Sequence, residues 1–223
     1  MRDSAVTALV DTVERLAARD DPALTSLGDP RHLGEILEWL EARTTTSVWN
    51  MQRSTQLSLT RSVWEIDRRT RARGIEERSV VPRRAALASP LWTTVEPSLR
   101  VAPVVVPVIV SDRSYAMVQG PIGVHQMPTP YGTEDPDVVA LACAAFLEVW
   151  DAALPWPEAG LLPPLPDRRF RVAALLMDGN TDREIAAELG VGERTVSAEV
   201  RAIIDWLGAR NRTHAVAMLV GAA

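Results

Sequence analysis

Apolar residues recur along this chain at helical spacing, then at shorter strand-like spacing, then at helical spacing again. Residues 4–19 carry Ala5, Leu9, Val13 and Leu16 on one helical face, and residues 30–43 carry Leu33, Ile36, Leu37 and Leu40 on another. The β-branched run Thr44 to Met51 predicts a first strand. Residues 54–73 predict a helix closed by Gly74, Ile75 to Pro82 a second strand, and residues 83–95 further helix around Pro90. From Ser98 to Gln126 the pattern shortens to strands at 100–102, 104–110, 115–118 and 123–125. Ser111 to Ser114 is read as a turn, and Pro103 and Pro107 predict an edge or irregular strand. Residues 127–136, with three prolines and one glycine, predict a loop. Asp135-Pro136-Asp137 then opens a helix over 138–153 that turns Leu141, Ala145, Phe146, Val149 and Trp150 inward.

Five prolines in residues 155–166 predict a semi-rigid linker, which divides the chain into units 1–154 and 167–223. In the second unit, residues 168–177 form a helix with Val172, Leu175 and Leu176 inward, stopped by Gly179. Thr181 and Glu184 have capping-box spacing, so each side chain can satisfy a free backbone N–H at a helix start. Ile185, Ala186 and Leu189 follow on one face, and Gly190 supplies the left-handed turn. Val191 plugs the corner, and Gly192 begins a helix over 193–207 whose stripe is Val196, Val200, Ile203 and Leu207. Gly208 ends it. Asn211 caps a last helix carrying Ala215, Val216 and Leu219.

This is helix-turn-helix spacing inside a four-helix unit, and it resembles the LuxR-type DNA-binding domain. The resemblance is carried by Gly179, Glu184-Ile185-Ala186, Leu189-Gly190-Val191, Glu193-Arg194-Thr195-Val196, Val200, Ile203, Leu207-Gly208, Arg210, Arg212-Thr213 and Ala215-Val216. It implies that the helix over 193–207 enters the DNA major groove, with Thr195, Val196 and Ser197 facing it. It also implies Arg183, Arg194 and Arg201 near phosphates, and a backbone contact from Thr181. For Thr195 and Val196 the other reading is helix-start and packing, and for Arg194 it is an ion pair within the domain. Three positions depart from the family pattern. Ser197 stands where lysine is usual, Glu199 where histidine is frequent, and Arg171 where glutamate orients a neighbouring helix.

The first unit is similar to the phospholipase-D-like effector domain of TrmB-type and streptomycete regulators, over about 44–154. The matches are Arg73-Gly74-Ile75, Val81-Pro82-Arg83-Arg84-Ala85, Ser111-Asp112-Arg113 and the run Phe146 to Asp151. The resemblance implies an α/β fold with a mixed sheet flanked by helices, followed by the all-α four-helix tail. Phospholipase D chemistry uses a His-x-Lys-x4-Asp constellation. No lysine is present, and His32, His125 and His214 do not fit the motif. A non-catalytic domain for dimerisation, small-molecule sensing or both is the expectation, with no catalytic residue, cofactor or metal assigned.

Composition narrows this further. All 24 basic residues are arginine, which excludes lysine-dependent chemistry and points to a GC-rich, actinobacterial genome. Of the net charge of −5, none lies in the tail, where eight arginines meet eight acids. DNA affinity must then come from the placement of a few arginines and from two copies acting together. The single Cys143 excludes an internal disulfide, and no leader or membrane span is read, so a cytoplasmic protein is expected. The partners expected are double-stranded DNA, a second copy, a small-molecule effector, and RNA polymerase if the protein activates transcription. Control of secondary metabolism is implied only by the streptomycete resemblance. The alternative is a sensor or interaction protein with a degenerate helix-turn-helix, which Ser197, Glu199 and the neutral tail favour. Trp39, Trp49, Trp64, Trp92, Trp150 and Trp156 read as core or as an aromatic ligand pocket. The arginine run 61–73 reads as a solvated helix face or a second phosphate surface, and Trp206 as packing on the last helix or as a dimer seam.

Overall fold

The computed structural model describes residues 4–29, 32–53, 61–122 and 128–222, with the side chains of 33, 61–65 and 122 left aside. The chain runs α1 (Ala5–Ala17), β1 (Thr25–Ser26), α2 (Leu33–Arg43), β2 (Ser47–Met51), α3 (Arg61–Ala72) and β3 (Glu76–Val81). Then come α4 (Arg83–Leu87), α5 (Trp92–Val95), β4 (Arg100–Val101), β5 (Val108–Ser111), β6 (Tyr115–Ile122) and β7 (Pro128–Thr133). After α6 (Pro136–Ala152) and β8 (Leu154–Pro155), the tail is α7 (Asp167–Met177), α8 (Asp182–Leu189), α9 (Glu193–Leu207) and α10 (Arg212–Leu219). The described strands form one mixed sheet in the order β1-β7-β6-β5-β2-β3-β4-β8. Among them, the β2–β3 and β3–β4 pairs are parallel and the rest antiparallel.

Strand alternation assigns the two faces. Trp49, Met51, Val108, Val110, Ala116 and Val118 point to one side, where α1 (Val6, Leu9, Val13) and α6 (Val138, Ala142, Ala145, Phe146) cover them. Trp49 stacks on Phe146 with ring centroids 5.3 Å apart, and Phe146 on Trp150 at 5.9 Å. On the other face Ile109, Tyr115 and Met117 meet Ile36, Leu37 and Leu40 of α2. The α6 start follows its sequence signal. Asp135 Oδ1 accepts from the amides of Asp137 and Val138, both at 3.1 Å, and Pro136 occupies the first turn.

The hairpin between β5 and β6 turns at Asp112 and Arg113, whose φ angles are 51° and 55°. Two successive left-handed residues form a tight turn with right-handed twist, and aspartate tolerates that conformation better than most residues. The Asp112 carboxylate reaches the segment entering β2. Oδ1 accepts from the Thr46 amide (2.7 Å), the Thr46 hydroxyl (2.8 Å) and the Ser47 amide (2.9 Å), and Oδ2 from the Thr45 amide (2.8 Å) and hydroxyl (2.9 Å). Partial burial works against the charge, but these donors outweigh it and hold the carboxyl well below the usual carboxylate range.

Several expectations need correction. The loop over 127–136 contains β7, which lies between β1 and β6. A proline gives up one donor but keeps its carbonyl, and that of Pro130 accepts from the Leu27 amide at 2.9 Å. The strand over 104–110 begins only at Val108 and is interior, between β6 and β2, with Pro103 and Pro107 outside it. The helix over 83–95 is two short helices parted at Ser89-Pro90. The strand over 123–125, with His125, and residues 54–60 of the third helix lie outside the described residues.

The proline-rich stretch is not a free spacer. Leu154–Pro155 pair with β4, the Trp156 amide donates to the Leu99 carbonyl (3.2 Å), and Ala159 and Leu165 are buried. Thr93 Oγ1 donates to the Leu162 carbonyl (2.8 Å), and the Leu165 amide donates to Thr94 Oγ1 (2.9 Å). Leu91, only 3% exposed, sits in the hydrophobic core of the tail with Leu165, Val172 and Leu176. At the other end Gly221 takes φ 71°, and a Cβ there would lie 2.7 Å from the Ala88 carbonyl, so only glycine fits. Thus α4 and α5 are where the tail docks. Truncating Leu91→Ala should cost about 3 kcal/mol of stability, read by urea denaturation of the full chain, because the hole opens in the core of the tail.

Candidate nucleic-acid interface

The tail is built on its apolar stripes. Val172, Leu175 and Leu176 of α7, Ile185 and Ala186 of α8, Val196, Val200, Ile203 and Leu207 of α9, and Ala215 and Leu219 of α10 close into one cluster. The α8–α9 turn follows the spacing of its residues. The Thr181 amide donates to Glu184 Oε2 (2.7 Å), and the Glu184 amide returns a bond to Thr181 Oγ1 (3.4 Å). Gly190 takes φ 64° and ψ 35°, the left-handed stop that lets α9 leave at an angle. Asn211 Oδ1 accepts from the His214 amide (2.9 Å) at the start of α10.

Because Val196, Val200, Ile203 and Leu207 face inward, the opposite side of α9 is fixed. Arg194, Ala198, Arg201 and Asp205 follow one another at helical spacing on the exposed face, with Ser197 beside them. Arg183 is exposed on α8, the helix before the turn. Among the described residues, no hydrogen bond or ion pair holds Arg183, Arg194 or Arg201, so the intradomain pair considered for Arg194 does not form. Three unpaired guanidinium groups therefore stand on the two helices that flank the turn.

Two other arginines are spent inside the tail. Arg169 Nε donates to Glu199 Oε2 at 2.8 Å, tying α7 to α9. Arg212 pairs with Asp182 and also donates to the Asn180 carbonyl at 2.8 Å. These contacts revise what the unusual residues mean. Glu199 is neutralised by Arg169 and is only partly exposed, so it does not stand as a bare charge towards phosphate. Ser197 Oγ donates to Asp182 Oδ2 at 2.8 Å, joining α9 to the first turn of α8. Partial burial opposes ionisation of Asp182, but the bonds from Arg212 and Ser197 prevail and lower its pKa.

Of the seven residues singled out in the sequence, the geometry brings Arg183, Arg194, Ser197 and Arg201 to the exposed surface of α8 and α9, with Thr195 half-buried at the start of α9. Thr181 is exposed at the start of α8, where its side chain closes the capping box. Val196 is the correction. It is fully buried in the core of the tail, at 0% exposure, so its side chain cannot reach a base. Position in a family pattern points to the groove, whereas the apolar stripe of α9 already places Val196 inside. Val196→Ala should accordingly cost about 2 kcal/mol of stability by thermal or urea unfolding, without first altering the exposed face.

Residues 163–219 match the family described as bacterial regulatory proteins, luxR family. No curated protein matches the chain. Among the solved structures that are similar at low identity are the following three. The archaeal chromatin protein TrmBL2, described as showing a novel mode of DNA binding, is 13% identical with a TM-score of 0.44; the match covers 67% of this chain and 62% of that one. The phospholipase D family member Nuc from Salmonella typhimurium is 14% identical over 59% of this chain and 93% of that one, with a TM-score of 0.43. NucT from Helicobacter pylori is 12% identical over 59% and 96%, with a TM-score of 0.42. The chain therefore spans less than two thirds of TrmBL2 and carries a luxR-family helix-turn-helix domain in its last quarter.

Other residues resolve without DNA. Trp206 Nε1 donates to the Pro163 carbonyl at 3.0 Å, so it fastens the end of α9 to the proline-rich stretch. In the arginine run, Arg69 and Arg73 pair with Glu41 (3.4 and 3.0 Å), and Arg71 pairs with Glu77 (3.2 Å), which joins α3 to α2 and β3. These three are structural links and not a second phosphate surface. Trp49 and Trp92 are core residues, and Trp39 packs edge-on against Tyr115 at 5.4 Å. The side chain of Trp64 lies outside the described set. Among the described residues no helix is long and apolar enough to cross a membrane, and no group of side chains converges as a metal site.

Proposed function

We propose that the chain is a transcription regulator that binds double-stranded DNA as a homodimer, with α9 in the major groove. Ser197 and Thr195 face base edges near the start of α9, while Arg183, Arg194 and Arg201 grip phosphates on either side. The observation that carries this reading is the set of three unpaired arginines on the exposed face of a luxR-family helix-turn-helix. A tail of zero net charge makes few phosphate contacts alone, and two tails on a two-fold-related site double them. Dimerisation and effector sensing belong to the sheet domain, which holds the tail through α4 and α5.

That domain is read as non-catalytic. Counting the His-x-Lys-x4-Asp spacing back from Asp112 puts Pro107 at the lysine position and Val105 at the histidine position, and neither can attack or hold a phosphate. Asp112 is already engaged by Thr45, Thr46 and Ser47. The arginine-only composition supports a GC-rich genome of actinobacterial type. The test is the salt dependence of DNA affinity for the full chain. A DNA reader loses affinity linearly in log–log form, with a slope of about −0.9 per phosphate neutralised. A protein-docking tail shows no such slope.

A further inference from the structure

Between the α2–α3 layer and the sheet lies a cavity of about 370 Å³, within the roughly 300–1,000 Å³ range of small-molecule sites. Apolar side chains, Leu37, Ile66, Ile109 and Met117 among them, share its walls with polar ones such as Asn50 and Gln119, and none of the described tryptophans lines it. Three carboxylates from three elements line it as well: Asp67 of α3, Glu77 of β3, and Glu96 just after α5. Glu96 is only 7% exposed, and its Oε2 has no hydrogen-bond partner among the described residues. Arg71, the nearby guanidinium, is already engaged by Glu77 at 3.2 Å and by the Val95 carbonyl. Among the described residues, the other charges on the lining are at Glu41, which is paired with Arg69 and Arg73, and at exposed Arg53. The inner end is thus short of positive charge and has one carboxylate oxygen unsatisfied. A buried polar atom without a partner is costly, and one that lines a cavity can be satisfied by a group bound there.

We infer that this cavity is a binding site for an organic cation, an ammonium or guanidinium group carrying an apolar body, seated on Glu96. A metal ion does not fit the same side chains, because no group of acids among the described residues converges closely enough to hold one. Burial raises the Glu96 carboxyl well above its ordinary value, with Asp67 and Glu77 adding to the rise. Burial and Glu77 push Asp67 up to about 7. Near neutral pH the cluster therefore holds protons that an entering cation displaces. Resting on the regulator reading above, this cation is the effector. Glu96 follows α5 directly, and α5 holds the proline-rich stretch through Thr93 and Thr94, with Leu91 just before it in the core of the tail.

The test is isothermal titration of the full-length protein, without DNA, against 4-phenylbutylammonium, benzamidinium and spermidine, with 4-phenylbutanol as the neutral match. The expected result is that at least one cation binds, that 4-phenylbutanol does not, and that Glu96→Gln weakens the cation about tenfold or more. Without ligand, Glu96→Gln should melt higher than wild type near neutral pH, since it removes an acid that must take up a proton on folding. Should that variant fail to fold, wild-type titrations in buffers of different ionisation enthalpy decide: protons are released on binding, and affinity rises with pH. Equal binding of the alcohol, undiminished binding by Glu96→Gln, no proton release, or no binding by any of the three cations overturns the site. Because DNA is absent, these outcomes are separate from the salt-slope test of the regulator reading.

Discussion

Replacing Arg183, Arg194 and Arg201 together with alanine should lower DNA affinity about a thousandfold at moderate salt, with the tail still folded. On the proposed reading each guanidinium makes a charge-assisted bond worth about tenfold in affinity, and among the described residues none is engaged by another group. Each lost phosphate contact should also flatten the log–log salt dependence by about one unit. Stability should stay within about 0.5 kcal/mol of wild type, as for exposed residues without partners. Fluorescence anisotropy over a salt series measures affinity and slope together. Arg169→Ala and Arg212→Ala form the contrast. They break the Glu199 and Asp182 pairs, so they should act through the geometry of α9 and α8, leaving the slope nearly unchanged.

The second large effect is at Asp112. Its carboxylate accepts five hydrogen bonds from three consecutive residues and sits in a left-handed turn that alanine tolerates poorly. Asp112→Ala should destabilise the sheet domain by about 3 kcal/mol, and Asp112→Asn by less, since asparagine accepts the turn and retains one acceptor oxygen. The pH dependence has a definite sign. The folded pKa is depressed, so the contribution is complete above the unfolded value of about 3.9. It is lost as pH falls below that value towards the folded one. Urea midpoints of wild type and Asp112→Asn should therefore converge below about pH 4.

What is legible in the sequence follows from where the signals are local. The tail is readable because each of its devices sits within a few residues: the Thr181–Glu184 box, the Gly190 stop, the Asn211 cap, and the α9 stripe. The burial of Val196 is legible from that same stripe, and the family pattern pulls against it. In the sheet domain, β7 is hidden because Pro128 and Pro130 mark loops by composition, whereas the chain uses the Pro130 carbonyl in pairing. The docking of residues 155–166 cannot be read locally, since it depends on Leu91, Thr93 and Thr94, far back in the chain. The same holds for the Glu96 cluster. Asp67 lies inside an arginine run, Glu77 at a strand start and Glu96 before a proline, and only the fold brings them together.

The most direct test of the central claim is selection of genomic DNA fragments by purified full-length protein at low salt, run in parallel with the Arg183→Ala, Arg194→Ala, Arg201→Ala triple variant. The expected result is one enriched motif for the wild type, with two half-sites about one helical turn (roughly 10–10.5 base pairs) apart, and its loss in the variant. No enrichment by the wild type, or the same motif recovered by the variant, would contradict DNA reading by this face of α8 and α9.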